Sequence, residues 1–181
     1  YQNIRFYGLI EDTTGNLFVG TDGHGIFKLD HRNNLLNHYK KEKSAHGLSD
    51  NAIITAFKDH KNQLWFGTYR GGLMRYNAEA DNFTSFSANP TKEGSLGAND
   101  VRVIYEDKKN QLWIGTNGGG INKLNLSTYQ FSTYVPQNST IPSNDIRSIV
   151  EDKKGNLIIG TYGAGITYFE QQKELFYPYL P

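Results

Sequence analysis

The sequence predicts an all-β chain built from four copies of one short-stranded unit, and three observations carry that prediction. One phrase is written four times: Leu17-Phe18-Val19-Gly20-Thr21, Leu64-Trp65-Phe66-Gly67-Thr68, Leu112-Trp113-Ile114-Gly115-Thr116 and Leu157-Ile158-Ile159-Gly160-Thr161. Its glycines stand at steps of 47, 48 and 45 residues, a period that marks repeat architectures. Each unit also holds four short apolar or alternating runs divided by turn residues, and no stretch keeps a helical period. Finally, 37% hydrophobic and 13% aromatic residues over 181 positions is a globular composition, large enough for an array of small units.

The first run of each unit is Phe6–Glu11, Ile53–Lys58, Val101–Glu106 or Ile146–Glu151. Apolar side chains fall on both sides of the alternation, as with Val101, Val103 and Tyr105 against Ile104. An inner strand covered on both faces is therefore expected. The position three before its end is Gly8, Thr55, Val103 or Ser148, which suits a crowded place near a central axis.

A turn follows, opening on Asp12, Asp59, Asp107 or Asp152 and carrying Gly15, Asn62, Asn110 or Gly155 at its fourth place. Glycine and asparagine tolerate positive φ, and the aspartate can accept the turn's own amides, so a tight hairpin is expected. The second strand is the repeated phrase itself. Side chains alternate, which sets Trp65 beside Gly67 and Trp113 beside Gly115 on one face, where a neighbouring sheet could rest. A glycine-rich turn ending at Gly25, Gly72, Gly120 or Gly165 leads to a third strand, and an outer strand follows with Leu36/Tyr39, Phe83/Phe86, Phe131/Tyr134 or Phe176/Tyr179. Four hairpin-linked strands per unit make a β-propeller of four-stranded antiparallel blades. The chain reads as one propeller domain over 1–181 with four blades, at about 4–39, 51–86, 99–134 and 144–179.

Only the connections Lys40–Asp50, Ser87–Ala98 and Val135–Ser143 are long and dissimilar, and each ends in an Asn (Asn51, Asn99, Asn144) expected to bond backbone at the strand entrance. Because strand direction alternates, these loops share a face with the glycine-rich turns. That face collects the variation, and loops on a rigid scaffold commonly carry binding.

Several sharper chemistries fail on pattern. The acidic pairs Glu11-Asp12, Glu106-Asp107 and Glu151-Asp152 recur at one turn position in three of the four units, which is turn chemistry and not a glycosidase pair. Gly23-His24-Gly25 and Gly118-Gly119-Gly120 precede strands, whereas phosphate cradling needs a following helix. His24, His31 and His38 are seven apart, which alternates faces along a strand, so no metal site is expected. No nucleophile signature occurs, and no catalytic residue or cofactor is assigned. Net charge is +1 with basic residues spread along the chain, so no nucleic-acid or membrane contact is expected of these residues. No apolar run nears the roughly 20 residues of a spanning helix. Cysteine is absent. The chain starts at Tyr1 with its only Met at 74, and reads as a piece of a longer protein.

Ile146 through Thr161, Val101 through Glu106-Asp107, Gly115-Thr116, Gly118 through Ile121 and Phe131-x-x-Tyr134 resemble the two-component regulator propeller repeat. The second unit departs from it at Lys58 and the first at Gln2-Asn3-Ile4. The resemblance implies the periplasmic sensor region of an inner-membrane hybrid histidine kinase, non-catalytic in itself, that responds to an oligosaccharide or other small ligand. It carries over no site by position. Candidate ligand contacts are instead the places where the units differ on the loop face: Asp22, His24, Tyr69, Arg70, Asn117 and Tyr162, with Arg102 and Arg147 beside Asp100 and Asp145. Flat rings and planar polar groups suit sugars. The blander expectation is that the tyrosines pack across blade gaps and the arginines pair with the neighbouring aspartates. Two alternatives stand beside sensing. Similar repeats occur in a metal-assisted lyase acting on streptogramin antibiotics, which here would call on Asp22 and His24; the other is a structural protein-interaction propeller. Open blade flanks would make the chain either close tightly or pair with a second copy, and pairing is favoured.

Overall fold

The computed structural model describes residues 4–42, 44 and 46–178; Gln2 and Asn3 of the first repeat and Tyr179 of the last outer strand lie outside the described residues. Sixteen strands form four sheets, with no helix among the described residues. The first sheet is β1 (Phe6–Glu11), β2 (Leu17–Thr21), β3 (Ile26–Leu29) and β4 (Leu35–Tyr39), and the second is β5 (Ile53–Lys58), β6 (Leu64–Thr68), β7 (Leu73–Asn77) and β8 (Asn82–Phe86). The third is β9 (Val101–Glu106), β10 (Leu112–Thr116), β11 (Ile121–Asn125) and β12 (Gln130–Tyr134), and the fourth is β13 (Ile146–Glu151), β14 (Leu157–Thr161), β15 (Ile166–Glu170) and β16 (Leu175–Pro178). Every sheet runs in chain order with antiparallel neighbours, as a propeller blade does. The blades fall into two compact units, residues 1–87 and 88–181.

Within each unit the repeated phrase makes the joint between blades. Phe18 and Ile26 of the first blade bury against Ile53, Phe66, Met74 and Tyr76 of the second. Trp113 and Ile121 of the third do the same against Ile146, Ile159, Phe169 and Phe176 of the fourth. Leu48 and Ile141, from the long loops, close the two clusters in equivalent places. Each such side chain contributes about 1.5–3 kcal/mol through burial. The glycine beside the ring has the expected purpose. A Cβ on Gly20 would lie 2.6 Å from Ile53 Cγ2, and one on Gly115 would lie 2.6 Å from Ile146 Cγ2. The next blade's first strand rests on that bare backbone.

The hairpin turn forms as its residues dictate. Asp12, Asp59, Asp107 and Asp152 each accept two backbone amides through Oδ1 at 2.8–2.9 Å. Gly15, Asn62, Asn110 and Gly155 take φ of 60–86°. The second carboxylate oxygen reads which ring the blade carries. The indole N–H of Trp65 donates to Asp59 Oδ2 at 3.0 Å and that of Trp113 to Asp107 Oδ2 at 2.8 Å. Where the tryptophan is replaced by Phe18, Asp12 accepts the Asn16 side-chain amide instead at 3.1 Å, and where it is replaced by Ile158, Asp152 accepts the Tyr168 hydroxyl at 3.2 Å. At the opposite end, the threonine closing each second strand donates its hydroxyl to the carbonyl of the fixed glycine, at 2.8–2.9 Å in all four blades.

One expectation is corrected. The first strands are not uniformly covered on both faces. In β1, Phe6 and Leu9 are 59% and 67% exposed, and in β13 Val150 is 52% exposed. The residues on the other side of the same strands are covered by the partner blade. Ile10 packs on the first cluster, and Ile146 and Ile149 belong to the second. Alternation makes a strand able to bury two faces; a neighbouring sheet is needed to bury each one. The open flank of the first blade is a shallow apolar groove of about 290 Å³, lined by Phe6, Val19, Phe27, Leu29 and Leu35.

Candidate functional site

The glycine-rich turns and the long loops meet at one end of the blades in both units. Gly23 and Gly25 donate their amides to the Asn51 carbonyl at 3.2 and 2.8 Å, and Gly118 and Gly120 repeat this on Asn144 at 3.2 and 2.8 Å. The loop asparagines also hold backbone through their side chains. Asn51 Oδ1 accepts the Lys41 amide at 2.6 Å and Asn99 Oδ1 the Ala88 amide at 2.7 Å, while Asn144 Oδ1 has no hydrogen-bond partner among the described residues.

In the first unit, Asp22 and His24 are exposed on the turn after β2. The Asp22 amide donates to the Arg5 carbonyl at 3.0 Å, and the His24 amide to the Thr21 hydroxyl at 3.0 Å. The His24 carbonyl lies 2.7 Å from His38 Nε2, whose ring stacks on Phe27 at 3.9 Å. Among the described residues no group of three or more His, Asp or Glu side chains is placed to hold a metal ion. Tyr69 and Arg70 stand on the corresponding turn of the second blade. The Tyr69 amide donates to the Ala52 carbonyl at 3.0 Å and the Arg70 amide to Asp50 Oδ2 at 2.8 Å, which fixes the turn on the loop. The Arg70 guanidinium lies over the Tyr69 ring, 5.0 Å from its centroid.

The second unit joins three of the predicted residues across two blades. Arg147, at the entrance of β13, donates from Nη2 to Asn117 Oδ1 at 3.0 Å and lies over the Tyr162 ring at 5.1 Å. Tyr162 is 68% exposed, and its amide donates to the Asp145 carbonyl at 2.8 Å. Asp145 Oδ1 accepts the Gly118 amide at 2.7 Å, and Arg147 bonds the neutral Asn117 and not this carboxylate. Arg102 stands apart from the trio and pairs with Asp100 at 2.6 Å. The bland expectation thus describes Arg102 and not Arg147.

A polar cluster at the first unit's outer rim was not singled out from sequence. Asp81, on the β7–β8 turn with φ 48°, accepts Lys28 Nζ at 2.9 Å, the Tyr39 hydroxyl at 2.6 Å and the Tyr76 hydroxyl through Oδ1, and Asn37 Nδ2 through Oδ2 at 3.2 Å. Burial works against the Asp81 charge, but the Tyr39, Tyr76 and Lys28 donors outweigh it and hold the carboxyl below its ordinary range. Burial raises both tyrosines, and their bonds to Asp81 add to it. A cleft of about 320 Å³ opens beside this cluster, lined among others by Asn37, His38, Lys40, Glu42, His46 and Asp81. The partners come from three different strands and one turn, so no local signal in the sequence marks them.

Residues 47–70, 95–118 and 140–163 match the two component regulator propeller family. The chain carries two component regulator propeller repeats. Each matched segment runs from the end of a long loop, through a first strand and the repeated phrase, into the glycine-rich turn, so it spans the blade joint and stops at the variable residues. Comparison with curated proteins gave no match. Among solved structures, these repeats superpose on an extracellular domain described as that of a hybrid two component system from B. thetaiotaomicron. The TM-score is 0.87 at 26% identity, over 97% of this chain and 24% of that one. A second such domain from the same organism gives a TM-score of 0.79 at 25% identity, over 97% of this chain and 25% of that one. The chain therefore spans about a quarter of the length of these structures. A catalytically inactive virginiamycin B lyase from Staphylococcus aureus with quinupristin superposes at a TM-score of 0.70 and 17% identity, over 96% of this chain and 55% of that one, a likeness of fold.

Proposed function

We propose that the chain is a non-catalytic sensing module from the periplasmic part of a hybrid two component system. It takes an oligosaccharide on the loop face and biases a conformational equilibrium read by a histidine kinase elsewhere in the full protein. The family match and the extracellular two component domains among the similar structures support the class and the compartment. The observation that carries the binding reading is the Asn117–Arg147–Tyr162 trio, in which divergent residues of two blades meet above a repeated scaffold. Isothermal titration calorimetry against an oligosaccharide panel tests it. Tyr162→Ala, and separately Tyr69→Ala, are expected to weaken any binder found by about tenfold, the scale of one stacked aromatic contact. A binder whose affinity ignores both changes would place the site elsewhere.

The apolar flanks favour association with a second copy of the chain. Phe6, Leu9 and Leu35 of the first blade and Val150, Ile166 and Tyr177 of the last are exposed, more than single scattered surface residues. Light scattering of the isolated chain is expected to show a mass rising with concentration. A constant monomer mass at high concentration removes this reading.

A further inference from the structure

We infer that the loop face recognises an anionic group, so that the oligosaccharide is an acidic one bearing carboxylate or sulfate. This deepens the sensing reading and rests on it. The divergent positions alone suggest a tyrosine face laid against the apolar face of a sugar. The geometry gives each ring a further partner. In both units the tyrosine that follows the Gly-Thr pair has a guanidinium over it, at 5.0 Å for Arg70 on Tyr69 and 5.1 Å for Arg147 on Tyr162. The two arginines reach that place from different parts of the repeat. Arg70 sits in the glycine-rich turn, and Arg147 is the second residue of a first-strand run. The same placement arrived at by two routes is not a by-product of the repeated sequence.

Neither guanidinium is in an ion pair among the described residues. The nearby carboxylates are committed to backbone: Asp50 to the amides of Ala52 and Arg70, Asp145 to that of Gly118. Arg147 is oriented by one bond to the neutral Asn117 and by the ring beneath it, and the rest of its fork has no hydrogen-bond or ion-pair partner among the described residues. The pair is open to solvent, with Tyr162 68% exposed and Arg147 exposed beside it. A planar fork held in place, outside any ion pair and reachable, is suited to bidentate recognition of a carboxylate or a sulfate. A neutral sugar offers the fork only hydroxyl acceptors, whereas a carboxylate or sulfate matches both its geometry and its charge.

The test is calorimetry of the intact chain with tetragalacturonate, its fully methyl-esterified form, a chondroitin sulfate tetrasaccharide, and cellotetraose and xylotetraose as neutral probes. An acidic probe is expected to bind. For tetragalacturonate, the methyl ester is expected to bind at least tenfold more weakly; the sulfated probe separates sulfate from carboxylate preference. Arg147→Gln is expected to lower the acidic affinity at least tenfold with the melting temperature held. Lys154→Gln, an equal loss of charge on the exposed hairpin turn at the far end of the blade, is expected to leave affinity unchanged. Binding of a neutral probe as tight as that of the acidic ones overturns the anionic reading and leaves oligosaccharide sensing standing. Equal effects of Arg147→Gln and Lys154→Gln also overturn it, since charge alone would then be felt. Silence from every probe overturns both readings.

Discussion

The two blade joints sit at equivalent places in their units, and they close their outer rims by different means. Between the first and second blades, Lys28, Tyr39 and Tyr76 converge on Asp81. Between the third and fourth, the corresponding positions are Lys123, Tyr134, Phe169 and Glu174. Phe169 has no hydroxyl; it stacks on Phe176 at 4.3 Å and meets Tyr134 at 5.5 Å. Lys123 rests over the Trp113 ring at 5.7 Å, and the Tyr134 hydroxyl meets Glu174 at only 3.4 Å. Burial and the Glu174 charge push Tyr134 up to about 12, so it stays a neutral donor. Two side chains distinguish the rims: Tyr76 has a hydroxyl that Phe169 lacks, and Asp81, which takes Lys28 and Tyr39 directly, stands where the second unit has Glu174. What does not change is the inner slot, where Phe18 or Trp113 and a bare glycine meet the next blade. The slot defines the joint; the rim decorates it.

The strongest way to break that comparison is to empty the slot. Trp113→Ala is expected to cost about 3–5 kcal/mol in denaturant unfolding, through the lost ring and its cavity. Phe18→Ala is expected at the lower end of that range, because only the tryptophan also serves a turn aspartate. A larger loss at Phe18 than at Trp113 would reverse the ranking. The glycines sharpen the same point. Gly115→Ala drives a methyl into Ile146 and Val103 and is expected to cost about 1–3 kcal/mol. Gly160→Ala, on the open flank of the fourth blade, meets only the Ser148 hydroxyl, which can rotate away, and is expected to change stability by about 0.5 kcal/mol or less. Equal costs at the two glycines would mean that the next blade is not what requires them.

Smaller effects belong to the rim. Tyr76→Phe copies the second unit into the first and is expected to cost about 1 kcal/mol, the net worth of one hydrogen bond. Asp81→Asn has a signature in pH. The native donors hold the Asp81 carboxyl below its unfolded value near 3.9, so its contribution is fully present above that value and fades as pH falls toward the native one. The stability gap between the native chain and Asp81→Asn is therefore expected to be constant above about pH 5 and to narrow below about pH 4. With the carboxylate partly solvated, the gap is on the order of 1 kcal/mol. A gap that widens on acidification would show that the network does not favour the ionised form.

Strands and turns were legible because their causes are local. Asp12 and Gly15 specify one hairpin turn within four residues, and the same choice made at Asp59, Asp107 and Asp152 repeats the message. The loop face was legible too, since strand alternation alone brings Gly23 and Gly118 to the end where Asn51 and Asn144 begin the next blade. The candidate residues were found as points of difference, but what each would touch was not. Arg102 and Arg147 both stand second in a first-strand run and next to an Asp-bearing loop, yet one pairs with its aspartate and the other with Asn117 and Tyr162. The aspartate before Arg147 turns to a glycine amide of the neighbouring blade, and nothing within the repeat announces this.

The sequence by itself determined the unit: four strands, their order, the left-handed turn positions and the bare glycine beside each ring, all set by steric and hydrogen-bonding preferences that act over a few residues. Tertiary structure decided what meets what. Tyr39 and Lys28 reach Asp81 across 42 and 53 residues, and Arg147 reaches Asn117 across 30. It also decided that Phe6 and Leu9 stay exposed while Ile53 is buried at the equivalent strand position. Burial depends on whether a second sheet lies alongside, and a strand's own residues cannot supply that.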